Sequence, residues 1–180
     1  MSTELPSRTR SLHSAAHVTI VASTYNEKYT SALLENCLAE LKESGDRITV
    51  DVVRVPGAFE VPVTVKRAIV RAGKHAKPDV VIALGVILRG STAHADLIGT
   101  AITNQLLSIS CDTLTPVVHE VLLLNDEQQA FARCIASTLN RGREAARAAV
   151  AMLNMLEEQD ELHRDATRMA GVDMSGSIMR

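Results

Sequence analysis

Val80-Val81-Ile82-Ala83-Leu84-Gly85-Val86-Ile87-Leu88 runs straight into Arg89-Gly90-Ser91-Thr92-Ala93-His94, and then into Asp96-Leu97-Ile98-Gly99-Thr100-Ala101-Ile102-Thr103-Asn104-Gln105-Leu106-Leu107. The first run is apolar and β-branched without alternation, as a strand buried on both faces must be. The last has helical periodicity. A strand that ends in a glycine turn and opens a helix leaves leading N–H groups aimed at one spot. Hydroxyls at Ser91 and Thr92 and an imidazole at His94 join them, so this corner suits an anion with a proton-transfer group beside it.

The same alternation extends both ways. Val18 to Ser23 reads as strand one, Tyr29 to Ser44 as helix one, Arg47 to Val53 as strand two with Ile48, Val50 and Val52 on one face, and Phe59 to Ala72 as helix two ending at Gly73. Asp79 to Ile87 is strand three, Ala93 to Ser110 helix three, and Pro116 to Leu123 strand four. Asp126 to Thr138 and Arg143 to Glu158 are further helices, broken near Asn140-Arg141-Gly142. Met1 to His17 reads as a mobile polar arm, residues 18–160 as one domain, and the residues from about 161, polar from His163 to Arg180, as a loose tail. Alternating strands and helices predict a parallel sheet with helices on both faces. Ligands then bind beyond the carboxyl ends of the strands.

The unusual residues cluster there. Thr24-Tyr25-Asn26-Glu27 follows strand one. Tyr25 offers a flat ring for stacking or for core packing; Asn26 can bond a ligand or cap the next helix. Val55-Pro56-Gly57-Ala58-Phe59-Glu60 follows strand two, where Gly57 permits close approach to backbone or merely turns the chain. Glu60, in the first turn of helix two, sits favourably in the helix dipole or simply faces solvent. His94 is the acid/base candidate, because the positive end of a helix dipole favours the neutral imidazole; a capping histidine is the alternative. Arg133 can clamp a phosphate or lie on a helix surface.

Bulk properties narrow the class. The chain has 180 residues, a formal net charge of -2 and only 2% aromatic residues, so its core must be built from Ala, Val, Leu and Ile. Nothing points to nucleic acid or a membrane surface. Cys37, Cys111 and Cys134 are too scattered for a disulfide framework and read as small core residues. No histidine pair or His/Cys cluster has metal-ligand spacing, and no dinucleotide or P-loop signature occurs. Met1 to Ala16 lacks the apolar segment of a signal peptide. The expectation is a soluble, cytoplasmic protein of a reducing compartment.

Several segments resemble the lumazine synthase family. Val55-Pro56-Gly57-Ala58-Phe59-Glu60-Val61-Pro62 and Ala83 to His94 match its two central signatures. Tyr25-Asn26 falls at its aromatic-Asn pair, and Gln129-Ala130, Arg133 and Asn140 to Ala146 resemble its last two helices. The resemblance implies a flavodoxin-like α/β three-layer sandwich with a four-stranded parallel sheet, and pentamers or multiples of them with sites between subunits. It implies condensation of 5-amino-6-(D-ribitylamino)uracil with 3,4-dihydroxy-2-butanone 4-phosphate to 6,7-dimethyl-8-ribityllumazine, phosphate and water, without a cofactor or metal. By position, His94 would transfer protons, while Ser91, Thr92 and the adjacent subunit's copy of Arg133 would hold phosphate. Tyr25 would stack on the pyrimidine. Asn26, Gly57, Ala58 and Glu60, with backbone from Val86, Ile87 and Leu88, would meet the ribityl chain and ring polar groups.

Strand four departs from the pattern. His119-Glu120 stands where the family has an aromatic-Gly pair, Leu123 and Leu124 replace hydroxyl residues, Ala95 an aromatic, and Arg141 a lysine. His119 could stack as a flat group. If His119 and Glu120 together blocked the ring, the chain would be a non-catalytic ring- or shell-forming relative that binds a flavin-like or ribityl ligand. Arg89, between strand and turn, reads as a structural or subunit-contact residue.

Overall fold

A computed structural model describes residues 5–71 and 77–169. Four strands form one parallel sheet in the order β2-β1-β3-β4: β1 Ala16–Ser23, β2 Ile48–Val55, β3 Val80–Leu88 and β4 Val117–Leu124. The helices are α1 Glu27–Glu43, α2 Val61–Val70, α3 His94–Thr113, α4 Glu127–Ala130 and α5 Arg141–Met169. A 3₁₀ turn, Ala58–Glu60, leads into α2, and a π-helical turn, Phe131–Ile135, follows α4. The architecture is the expected flavodoxin-like sandwich. The expected end of helix two at Gly73 lies outside the described residues.

Each helix docks through its own spacing. Tyr29, Leu33, Cys37 and Leu41 recur every fourth residue of α1, and Val61, Val65 and Ile69 do so in α2. The first stripe joins one core with α5 on one sheet face; the second joins another core with Ile102, Leu106 and Ile109 of α3 on the opposite face. Alternate strand residues serve the two cores: Val80, Ile82 and Leu84 of β3 the first, Val81 and Ala83 the second. Fully burying each such aliphatic chain contributes about 1.5–3 kcal/mol. Where no aromatic ring fills space, backbones approach closely. A Cβ on Gly142 would lie 2.2 Å from the Leu33 carbonyl oxygen, so α5 can seat on α1 only with glycine there. Of the cysteines, Cys37 and Cys134 are buried as expected, whereas Cys111 is exposed on the outer side of α3.

The expected long helix from Asp126 to Thr138 is replaced by α4 and the π turn. Ala136 N–H reaches back to Phe131 O at 3.0 Å, and Leu139 takes a left-handed φ of 48°. Asn140 explains the break. Fully buried, its amide donates to Cys134 O at 2.8 Å and Ala136 O at 3.2 Å, while its oxygen accepts from Gly142 N–H at 3.0 Å and Arg143 N–H at 3.2 Å. One side chain thus closes the turn and caps α5.

The ends also differ from expectation. The segment from His163, read as a loose tail, is helical through Met169, because α5 continues without an interruption. The described part of the arm before β1, read as mobile, lies against α1 and α5. Leu12 is buried, Arg47 donates to Leu12 O at 3.1 Å, and Glu40 receives Arg8 and Arg147, each at 2.7 Å. Between these guanidiniums the Glu40 carboxyl is held down at about 2, Arg8 contributing most.

Candidate functional site

All four strands present their carboxyl ends at one rim, and the loops there are tied across the sheet. Thr24 N–H donates to Val55 O at 2.8 Å and Tyr25 N–H to Pro56 O at 2.9 Å, which joins the β1 and β2 ends. Asn26, at φ 59°, donates its side-chain amide to Val86 O at 2.8 Å, which joins the β1 end to β3. Asn26 therefore supports the rim, and it engages the Val86 carbonyl that the family resemblance offered to a ligand. Its main-chain oxygen also receives the N–H groups of Tyr29 and Thr30 at the start of α1.

Gly57 is a close-approach position. A Cβ there would stand 2.8 Å from Glu60 Oε2 and 3.2 Å from Tyr25 Cδ2. Glu60 is not a plain solvated helix-start residue: its Oε2 accepts the Gly57 N–H at 2.9 Å, so it folds back over the loop. Ala58 is buried below. Tyr25 is 69% exposed, which removes the core-packing alternative for its ring.

The β3 end carries Ile87 and Leu88, then the exposed turn with Ser91 and Thr92, and His94 opens α3. The His94 N–H faces Thr92 Oγ1 at 3.5 Å, at the limit of a hydrogen bond. Arg89 is committed elsewhere. Its guanidinium pairs with Asp96 and Asn125, and its N–H donates to Leu124 O at 2.9 Å, tying β3 to the end of β4.

His119 does not lie at this rim within one chain. His119 pairs in register with Ala83, five positions below the terminal Leu88–Leu124 pair. Its ring lies on the α3 side, with Nε2 2.9 Å from Thr103 Oγ1 and Nδ1 accepting Val121 N–H at 3.2 Å. Because Nδ1 accepts, the proton sits on Nε2 and points at Thr103; burial pushes this imidazole toward the neutral form. Arg133 lies in the π turn, half-buried, and its Nη1 has no hydrogen-bond partner.

Glu120 faces away from His119. Alternation along β4 puts it on the α1/α5 side, with Val118 and Leu122. There burial pushes its carboxyl up to about 7, against the lowering effects of Arg141 and Arg133. It does not share a sheet face with His119, so the two do not jointly form an obstruction. Its side chain is partly buried there.

Two further features were not evident from sequence. Phe59, 63% exposed, borders a groove of about 590 Å³ between α2 and α3, lined by Pro62, Val63, Ala101 and Ile109 among others. Its position next to Gly57, off the Val61/Val65/Ile69 stripe, was the available signal. Asn140 stood out in the sequence only as a helix break. Among the described residues, no cluster of three or more His, Cys, Asp or Glu could hold a metal, and no helix is long and apolar enough to cross a membrane.

The fold defines a doubly wound α/β protein whose ligand-type loops gather at its strand ends. The chain belongs to the 6,7-dimethyl-8-ribityllumazine synthase family, whose sequence profile matches residues 15–157. Among relatives bearing that name, one from Nitrobacter hamburgensis is 37% identical over 83% of this chain and 91% of its own length. One from Rhodopseudomonas palustris is 40% identical over 79% and 86%, respectively. One from Thermococcus gammatolerans is 34% identical over 79% and 88%.

Proposed function

We propose that this chain condenses 5-amino-6-(D-ribitylamino)uracil with 3,4-dihydroxy-2-butanone 4-phosphate, in the cytoplasm and without a cofactor, as a step of riboflavin synthesis. The observation that carries the reading is the rim itself. Tyr25, the Gly57–Glu60 loop and the Ser91–His94 corner come from three distant segments and converge at the strand ends, and the relatives named above share most of the chain. Tyr25 supplies a ring face for the pyrimidine. The Gly57 loop lets the ribityl chain lie against backbone. Ser91 and Thr92 accept the phosphate at the opening of α3, where the helix dipole favours an anion.

The chemistry forms a C–N bond between the 5-amino group and the ketone carbon and expels that oxygen as water; phosphate leaves by C–O cleavage, the resulting enol becomes a ketone, and the ribitylamino nitrogen closes the ring on that carbon with loss of a second water. His94, beside the phosphate corner, moves the protons these steps require. Holding the two reactants in line supplies most of the acceleration.

His119 sits five register positions below the rim of its own chain and Arg133 keeps a buried nitrogen without a hydrogen-bond partner, which supports a site completed by a neighbouring subunit. The assembly proposed is a pentamer or a multiple of pentamers, with His119 and Arg133 crossing to the next subunit's rim. The apolar groove beside Phe59 and the half-exposed edge residues Val52 and Val53 are surface that such contacts would cover. The test is lumazine formation from the two substrates, followed by absorbance, alongside analytical ultracentrifugation. Turnover above the uncatalysed condensation by a ring-sized species is expected. Absence of turnover would overturn the enzyme reading, and an active monomer would overturn the shared site.

A further inference from the structure

Arg133 stands in the middle of the Phe131–Ile135 π turn, and its Nη1 is buried without a hydrogen-bond partner. That nitrogen is placed by the backbone that carries it, not by a bond of its own. The backbone closes through Ala136 N–H on Phe131 O at 3.0 Å, a loop that spans Arg133 and is one residue longer than an α-helical closure. Asn140 holds this loop from outside. Its amide donates at 2.8 Å to the carbonyl of Cys134, the residue next to Arg133, and at 3.2 Å to Ala136 O. In a continuing α-helix these two carbonyls would instead take the N–H groups of Thr138 and Asn140, four residues on. The Cys134 side chain is fully buried in the core shared with α1 and α5. The residue beside Arg133 is thus fixed through both its side chain and its carbonyl.

Resting on the reading that Arg133 binds the substrate phosphate, we infer that Asn140 is a positioning residue for that anion site, its amide holding the π turn that aims the Arg133 guanidinium. The side chain divides its work by atom. Nδ2 holds the turn, while Oδ1 accepts the N–H groups of Gly142 and Arg143 and caps α5. Without the two donations the Cys134 and Ala136 carbonyls are released to α-helical partners, the π closure is lost, and the side chains inside it turn to new directions. Asn140 itself meets no substrate; it acts through Arg133.

Asn140→Asp and Asn140→Ser both keep an oxygen that caps α5 and lose the amide donor. Each should raise KM for the phosphate substrate about tenfold, as a misplaced charged binding group does, while kcat and KM for the pyrimidine change by less than about twofold. The serine variant sets no carboxylate against the two carbonyls, so it carries the test if the aspartate variant does not fold. Arg143→Ala is the control for stability alone. It removes the 3.1 Å bond from Arg143 to Asn36 between α5 and α1 and leaves the turn intact, so it should lower the unfolding midpoint without moving that KM. Added to Arg133→Ala, Asn140→Ser should raise KM no further, because the group it aims is gone. An unchanged KM in the Asn140 variants, an equal rise in Arg143→Ala, or effects that multiply in the double variant each overturn the inference and leave the reaction in place. Calorimetry with inorganic phosphate reads the same variants without turnover and decides the matter even if no lumazine forms. Arg133→Ala and Asn140→Ser should both weaken binding. Weakening by Arg133→Ala alone overturns the role of Asn140; weakening by neither removes Arg133 from the phosphate site, and the inference falls with that reading.

Discussion

At the ends of β1, β2 and β3 the ties are short and largely made by backbone: Thr24 and Tyr25 to Val55 and Pro56, Asn26 to Val86, Gly57 to Glu60. Along β4 and the π turn the chemistry is in side chains that diverge. His119 turns to α3, Glu120 to α1 and α5, and Arg133 leaves a nitrogen unanswered. The rim is tied together within one chain, whereas the polar groups of β4 diverge to opposite faces of the sheet. Adjacent positions on one strand thus meet entirely different surroundings, so closeness in sequence does not put two residues in one place.

The sharpest way to break the comparison is Gly142→Ala. Its methyl would meet the Leu33 carbonyl oxygen, forcing α5 off α1 and releasing the wall while the rim ties remain. A loss of about 3 kcal/mol or more is expected in urea unfolding. Arg133→Ala comes next. It should raise KM for the phosphate substrate by about 10- to 100-fold, the range for a lost charge-assisted hydrogen bond, with a smaller change in kcat. An unchanged KM would remove Arg133 from the site.

Glu120→Gln sharpens the comparison through pH. The folded carboxyl, at about 7, lies above its ordinary 4.5, so its contribution to stability is fully present below pH 4.5 and is lost as pH rises through 7. Glu120→Gln should therefore gain about 1–2 kcal/mol relative to wild type between pH 4.5 and pH 8, read from paired denaturation curves. The smallest effect belongs to the rim. His94→Ala should lower kcat only several-fold, because orientation survives; a loss beyond about 100-fold would make proton transfer, rather than positioning, the main source of the acceleration.

The order of elements was legible because β3 is buried on both faces and the helices repeat their apolar residues every fourth position. The placement of Tyr25, Gly57 and Ser91 to His94 just beyond the strand ends was legible from the alternation of strands and helices. The facing of His119 and Glu120 was not, since neighbouring residues always diverge in a strand but only the register tells which side each takes. The π turn was hidden because Asn140, a polar residue at a helix break, gives no sign from sequence that it will be fully buried and satisfy four backbone groups. The docked arm was missed for a similar reason. Arg8 and Arg10 look like solvated charges until Glu40 and Asn154 are found opposite them.

The long last helix has a consequence of its own. Arg143 meets Asn36, Arg147 meets Glu40 and Asn154 meets Arg10, so α5 runs alongside α1 in the same direction, away from the strand ends. With 29 residues it extends about 43 Å, against about 30 Å for the 9 residues of β3, and its last turns are exposed. The molecule therefore has a handle at the pole opposite its strand ends. Tethering a chain to a surface by the Arg164 end would leave the strand-end rim turned outward.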